Sequence, residues 1–182
     1  MSIYDENIER VYITESEIQE RVKKAAEWID ERFADKNPLA ICILKGSVMF
    51  FCDLVRAAKT PVQIDFAAIS SYGSSTVSSG KPDIVLDLSQ NVAGRDVIII
   101  EDIVDSGNTL KTLRGLLLER GAKSFTCVTL LNKPARRTVD IEPDYACFEI
   151  EDQFVVGYGL DFAQKYRTLP YIAILKPQAY KS

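Results

Sequence analysis

Apolar positions along this chain fall into two rhythms. Ile18, Val22, Ala25, Ala26, Ile29 and Phe33 recur every three or four residues, the spacing of one helical face. Thr14 and Glu17 stand just ahead of them as a T-x-x-E capping box, in which hydroxyl and carboxylate satisfy each other's backbone N–H. A helix is therefore predicted from there to about Asp35. LAICIL (39–44) follows as an unbroken apolar run, the pattern of a strand buried on both faces. Lys45-Gly46-Ser47 interrupts it, and SVMFFCDLVRAA then predicts a second helix. VQIDFAAIS (62–70) alternates as a half-buried strand does. SYGSSTVSSGKPD (71–83) has little to pack and predicts a long loop. IVLDL and, past a turn at Asn91–Gly94, RDVIII predict two more strands. Thr109–Arg120 predicts a third helix, closed by Gly121 in the usual place for a left-handed cap. SFTCVTLL, YACFEI, and FVVGY with YIAIL complete the set as strands.

Strands that alternate with helices imply an α/β fold, with a mostly parallel central sheet and helices on its faces. A length of 182 residues suits one domain, 1–182, with a substantial core. In such sheets ligands bind beyond the carboxyl ends of the strands. Four segments fall there: Lys45-Gly46-Ser47, the loop from Ser71, the acidic stretch after Ile100, and Asn132-Lys133.

Composition narrows the chemistry. Hydrophobic residues make up 47% and charged residues 26%, a globular balance. A net charge of −4 and a pI near 5.0 speak against nucleic acid as a partner, which normally calls for a basic face. No run approaches a membrane span, and MSIYDENIER lacks the basic and then apolar pattern of a secretory signal. Cys42, Cys52, Cys127 and Cys147 have neither metal-ligand nor redox spacing and are expected to be reduced, buried thiols in a cytoplasmic protein. The chain has no histidine, which excludes a Ser-His-Asp triad, a Cys-His pair and any histidine-ligated metal. Acid–base work must fall to carboxylates, lysine, tyrosine or the substrate.

The stretch VIIIEDIVDSGNTL (97–110) raises the sharpest question, because an aliphatic strand runs into Glu101, Asp102 and Asp105. Glu101 and Asp102 would end that strand, where carboxylates can accept hydrogen bonds from vicinal hydroxyls such as those of ribose, or hold Mg²⁺ directly or through water. Asp105-Ser106-Gly107-Asn108-Thr109 then leads into a helix. Its backbone N–H groups, with the Ser106 and Thr109 hydroxyls, would form a nest for phosphate at the positive end of the helix dipole. Diol and phosphate recognition so close together suits a ribose 5-phosphate. A surface turn with an Asp or Ser N-cap would explain Asp105 or Ser106, but not the two acids before them. Neither a G-x-G-x-x-G nor a G-x-x-x-x-G-K-[ST] loop is present.

EDIVDSGNTL resembles the phosphoribosyl pyrophosphate signature of the type I phosphoribosyltransferases. Nearly the whole chain is similar to their hypoxanthine-guanine members of bacterial type. The resemblance implies the type I fold, with a small hood subdomain built from the N- and C-terminal segments. It makes LKGS (44–47) the pyrophosphate loop, with Lys45 and Gly46 in contact with ligand and a Leu44–Lys45 peptide that can be cis. Ser71 and Tyr72 would open a flexible lid over about 71–83, which would keep water from an oxocarbenium-like state. Glu101, Asp102, Asp105, Ser106, Gly107, Asn108 and Thr109 would bind the phosphoribosyl group, and Arg167 would reach the pyrophosphate. Asn108 stands where some members have lysine and offers a neutral donor instead. Lys133, in LLNKPARR, would face the oxygen at C6 of a purine and so favour an oxo group over the amino group of adenine. In DQFVVGYGLDF (152–162), Phe154 would stack on the purine and the Val155 backbone would pair with its edge. Asp161 would lie beside the base, and with Glu101 and Asp102 it would hold Mg²⁺, the implied cofactor.

The expected reaction is purine salvage: transfer of the 5-phosphoribosyl group from phosphoribosyl pyrophosphate to N9 of hypoxanthine or guanine, with Asp105 as the general base for the N7 proton. The partners are those two small molecules, and a homodimer or homotetramer is expected by resemblance alone. Two alternatives remain open. One is a regulator that senses phosphoribosyl pyrophosphate on the same fold; the other is a transferase that prefers xanthine, which differs only at C2.

Overall fold

A computed structural model describes residues 6–70 and 83–180. The chain folds in the order β1 (Ile8–Ile13), α1 (Glu15–Arg32), β2 (Leu39–Leu44), α2 (Val48–Ala57), β3 (Gln63–Ser70), β4 (Asp83–Leu86), β5 (Asp96–Val104), α3 (Asn108–Glu119), β6 (Ser124–Asn132), β7 (Tyr145–Glu149), β8 (Val155–Val156) and β9 (Ile172–Leu175). Short 3₁₀ turns follow β6 at Pro134–Arg136 and β9 at Pro177–Ala179.

Six strands form the central sheet in the order β4-β3-β2-β5-β6-β7. β3, β2, β5, β6 and β7 run parallel, and β4 is the one antiparallel edge. Both faces are covered, as the apolar runs require. Ala40 and Cys42 of β2 and Ile98 and Ile100 of β5 pack with Ile18, Val22 and Ile29 of α1 and Phe50, Phe51 and Leu54 of α2. The alternate residues Leu39, Ile41, Val97 and Ile99 pack against Leu113 and Leu117 of α3. The expected α/β fold is the observed one.

The expected caps also form. Thr14 Oγ1 accepts from the Glu17 N–H at 3.3 Å while Glu17 Oε2 accepts from the Thr14 N–H at 2.8 Å. α3 ends in a Schellman turn, with Gly121 at φ +84, the Gly121 N–H on Leu118 O and the Ala122 N–H on Leu117 O.

A second sheet of three strands, β1-β9-β8, joins the two ends of the chain and forms the expected hood. Its strands pair antiparallel, Val11 with Ala173 and Val155 with Ile174. β1 was not anticipated: IERVYI is largely exposed and charged, so only its pairing with β9 makes it a strand.

Three other expectations are corrected. β5 does not stop at Glu101 and Asp102; it runs on to Val104, pairing Ile103 with Leu131 of β6, so the acids sit within a strand. Phe154 lies before β8 rather than in it, and β8 has two residues. Cys52 is exposed while Cys42, Cys127 and Cys147 are buried. Phe50, Phe51 and Leu54 turn inward on α2, and Cys52 falls on the opposite side.

Candidate active site

Chain order puts the site between β2 and β5. From β2 the chain passes through α2 to β3 on one side, whereas β5 leads through α3 to β6 on the other. The connections therefore diverge at the β2/β5 junction, and a crevice opens beyond its carboxyl ends. A cleft of about 550 Å³ lies there, lined by Lys45 and Gly46 after β2, Glu101 to Val104 of β5, Asp105, Ser106, Gly107 and Thr109 at the start of α3, and Asp161, Gln164 and Arg167 from the hood side.

Close backbone approaches shape this cleft. The Leu44–Lys45 peptide is cis, as the resemblance implied. Buried Ser47 donates its hydroxyl to Ile43 O at 2.6 Å and so ties the loop back onto β2. A Cβ on Gly46 would lie 1.5 Å from Asp102 Oδ2, and a Cβ on Gly159 would lie 1.9 Å from Gly46 O. Hood segment, loop and acidic strand thus touch with no room for a side chain. Gly107, at φ +85, opens α3 in a left-handed conformation, and its Cβ would crowd Ile141, Arg137 and Val139.

Charge is concentrated at the floor. Glu101 is 5% exposed, and its carboxyl is held well above the ordinary range by burial and then by the neighbouring Asp102 charge. Burial also pushes Asp102 up to about 6; the Ile103 N–H and Arg167 pull it down, and Asp161 pushes it further up. Both carboxyls resist ionisation where they stand. Asp161 is turned to other partners: its Oδ1 lies 2.8 Å from Arg167 Nη2, and its Oδ2 accepts from the Gln164 N–H at 2.8 Å. Arg167 also donates to Gly159 O at 2.7 Å. Among the described residues no three acidic or thiol side chains gather into a cluster that could hold a metal, so Glu101, Asp102 and Asp161 are not assembled as a set. Asn108 is exposed and its side chain does not line the cleft.

Lys133, Phe154 and Val155, expected to meet a purine, are not among the residues that line this cleft. Lys133 is 7% exposed and donates from Nζ to Gln153 O at 2.6 Å, with Asp152 Oδ1 3.7 Å away. It is a buried cation beside Phe154, not a solvated lysine. The Phe154 ring carries Tyr180 stacked on one face, with centroids 4.5 Å apart and 16° between planes, and meets Phe162 edge-on. Val155 is buried and paired with Ile174. Ser71 and Tyr72, and the lid expected over about 71–83, lie outside the described residues, except that Asp83 begins β4.

Two arginines escaped the sequence reading although LLNKPARR displayed them. Arg136 bridges Asp105 Oδ1 at 3.3 Å and Asp152 Oδ2 at 3.4 Å. Arg137 donates to the backbone oxygen of Asp105 and to Asn132 Oδ1, and pairs with Glu142 at 3.0 Å. An arginine pair after a strand is common on any surface. The bulge of the 3₁₀ turn is what aims one at each side of Asp105.

A phosphoribosyl transferase domain model matches residues 13–163. A hypoxanthine-guanine phosphoribosyltransferase of Bacillus subtilis is 51% identical over 176 residues, spanning 97% of this chain and 98% of the relative. The crystal structure of a hypoxanthine phosphoribosyltransferase from Staphylococcus aureus superposes with a TM-score of 0.93 at 42% identity, covering 100% of this chain and 98% of that one. A hypoxanthine-guanine phosphoribosyltransferase of Bacillus anthracis, solved with a HEPES molecule in its active site, gives 0.88 at 43% identity over 93% of this chain and 99% of that one. With a family model spanning most of the chain and relatives this similar along their whole length, the chain belongs to the phosphoribosyl transferase family and, within it, to the hypoxanthine-guanine phosphoribosyltransferases.

Proposed function

We propose that the β2/β5 cleft binds phosphoribosyl pyrophosphate and a 6-oxopurine, and that Asp105 takes the proton released when they join. The family makes the chain a purine-salvage transferase; the residue roles are those the resemblance implied, and the geometry supports them. The C1′–N9 bond forms, the C1′–oxygen bond to pyrophosphate breaks, and the N7 proton passes to the Asp105 carboxylate. The products are IMP or GMP and pyrophosphate. One observation carries this assignment. Glu101 and Asp102, a glycine-built loop and the start of α3 line one cleft, and Arg136, which also lines it, ties Asp105 to Asp152 beside Lys133.

Each part has a physical task. The nest at Ser106, Gly107 and Thr109, with Asn108 heading α3, points backbone N–H groups at the 5-phosphate. Lys45 and Arg167 supply positive charge where pyrophosphate departs. Lys133 offers a buried N–H donor to the C6 oxygen and none of the acceptors that the adenine amino group needs. The free face of Phe154 receives the purine, and the Val155 backbone meets its edge. Mg²⁺ is the cofactor we propose, and Glu101, Asp102 and Asp161, which line the cleft, would hold it. Hard carboxylate oxygens crowded to the point of resisting ionisation suit a cation that takes few protein ligands and keeps substrate oxygens in its shell. When bound it neutralises charge on the phosphates. Assembly as a homodimer or homotetramer belongs to the same proposal and is measured by sedimentation.

Nucleotide formation from phosphoribosyl pyrophosphate and Mg²⁺ tests the assignment, with hypoxanthine, guanine, xanthine or adenine as the base. Hypoxanthine and guanine should turn over and adenine should not. Asp105→Asn should lower kcat by about 10²–10⁴-fold, the usual contribution of a positioned proton acceptor. An unimpaired Asp105→Asn enzyme would remove Asp105 from that role.

A further inference from the structure

Asp105 and Lys133 are joined by a chain of charges whose middle members, Arg136 and Asp152, the reaction above does not use. Asp105 stands at one end and Lys133 at the other. Between them Arg136 reaches Asp105 with Nε at 3.3 Å and Asp152 with Nη1 at 3.4 Å, and Lys133 Nζ lies 3.7 Å from the second Asp152 oxygen. The four alternate in sign, and the two ends are the groups assigned to N7 and the C6 oxygen, neighbouring atoms on one edge of the purine.

Arg136 is placed to do this by local structure. The 3₁₀ turn Pro134–Arg136 closes with the Arg136 N–H on Lys133 O, so the strand end that presents Lys133 also presents Arg136 toward the cleft. The Asp105 backbone is held separately: Arg137 donates to its carbonyl, and Thr138 N–H and Oγ1 hold Ser106 O. Its carboxylate has Arg136 as its ion-pair partner among the described residues. The other charges around the cleft are Lys45 after β2, Glu101 and Asp102 on β5, and Asp161 and Arg167 from the hood side.

We infer that Arg136 is a positioning residue for phosphoribosyl transfer: its guanidinium grips the Asp105 carboxylate and, through Asp152, fixes it relative to Lys133. The inference rests on Asp105 being the proton acceptor. Arginine suits the task because its planar fork can grip two carboxylates at once, whereas lysine keeps the charge and loses the fork.

The test is the steady-state kinetics of nucleotide formation from hypoxanthine with phosphoribosyl pyrophosphate and Mg²⁺. It compares the unaltered enzyme with Arg136→Gln, Arg136→Lys and Asp105→Asn, each checked by thermal melting. Half-exposed pairs act weakly, so kcat of Arg136→Gln should fall by about 3–10-fold, with KM for phosphoribosyl pyrophosphate unchanged. Arg136→Lys should recover part of kcat. An unchanged kcat in Arg136→Gln, or a rise that marks Arg136 as an obstruction to the base, overturns the inference. An Asp105→Asn enzyme that keeps full activity overturns the proton-acceptor assignment itself, whatever the Arg136 variants do.

Discussion

Asp102 is held in a state the folded protein resists, and Asp102→Asn exposes the cost. Its carboxyl titrates near 6 rather than at the ordinary 3.8 because burial disfavours its ionised form. Stability is therefore present at low pH and lost as pH rises through about 6. At pH 7 and above the full difference corresponds to about 3 kcal/mol, since each tenfold change in a proton equilibrium is about 1.4 kcal/mol. Part of the carboxylate faces the cleft, so roughly half of that, ~1–2 kcal/mol, is the expected gain from asparagine. The amide keeps an oxygen for the Ile103 N–H, now 2.8 Å from Asp102 Oδ1. It also removes the like charge beside Glu101. For a chain of this size the melting temperature without ligand should rise by about 3–6 °C at pH 7.5. The gap should close as pH falls toward about 4, where both carboxyls are protonated in the folded state. The same variant should lose the stabilisation that Mg²⁺ with phosphoribosyl pyrophosphate gives the unaltered protein, because binding to the folded state alone raises stability. Scanning calorimetry across that pH range, with and without ligand, reads both effects. A gap between the variant and the unaltered protein that stays constant with pH, or an unstable Asp102→Asn at pH 7.5, would refute the account of the acidic floor.

Gly159→Ala should damage the pyrophosphate loop from a distance, since its Cβ would lie 1.9 Å from Gly46 O on a backbone at φ +101. A loss of about 2 kcal/mol or more on denaturation, with a higher KM for phosphoribosyl pyrophosphate, is expected. Thr14→Ala removes the cap of α1 far from the cleft and should cost about 1 kcal/mol with kinetics unchanged. Urea titration beside a steady-state assay separates the two cases.

Much of this protein was legible in one dimension because local physics decides it. A T-x-x-E box has one purpose, and Thr14 and Glu17 serve it. A two-faced strand needs an unbroken apolar run, and Leu39–Leu44 is one. Acids that interrupt an aliphatic strand are out of place in a core, so the cleft that Glu101 to Gly107 and Thr109 line could be placed from residues 101–109. Other features rest on partners distant in sequence. IERVYI carries no strand rhythm; its strand exists because β9 lies alongside it. Glu101 and Asp102 fall inside β5, since β6 continues the ladder past them. Tyr180 stacks on Phe154 across 26 positions of chain only because the hood folds the C-terminal segment back. Arg136 could be any surface arginine until the turn after β6 sets it between Asp105 and Asp152. Composition and periodicity therefore determined the layers, the helix ends and the acidic centre, all of which depend on neighbours within a few residues. The tertiary structure alone decided the burial that shifts the acids, the glycine contacts that close the cleft and the charge chain along the base pocket. Those are set by distances between segments that the sequence order does not encode locally.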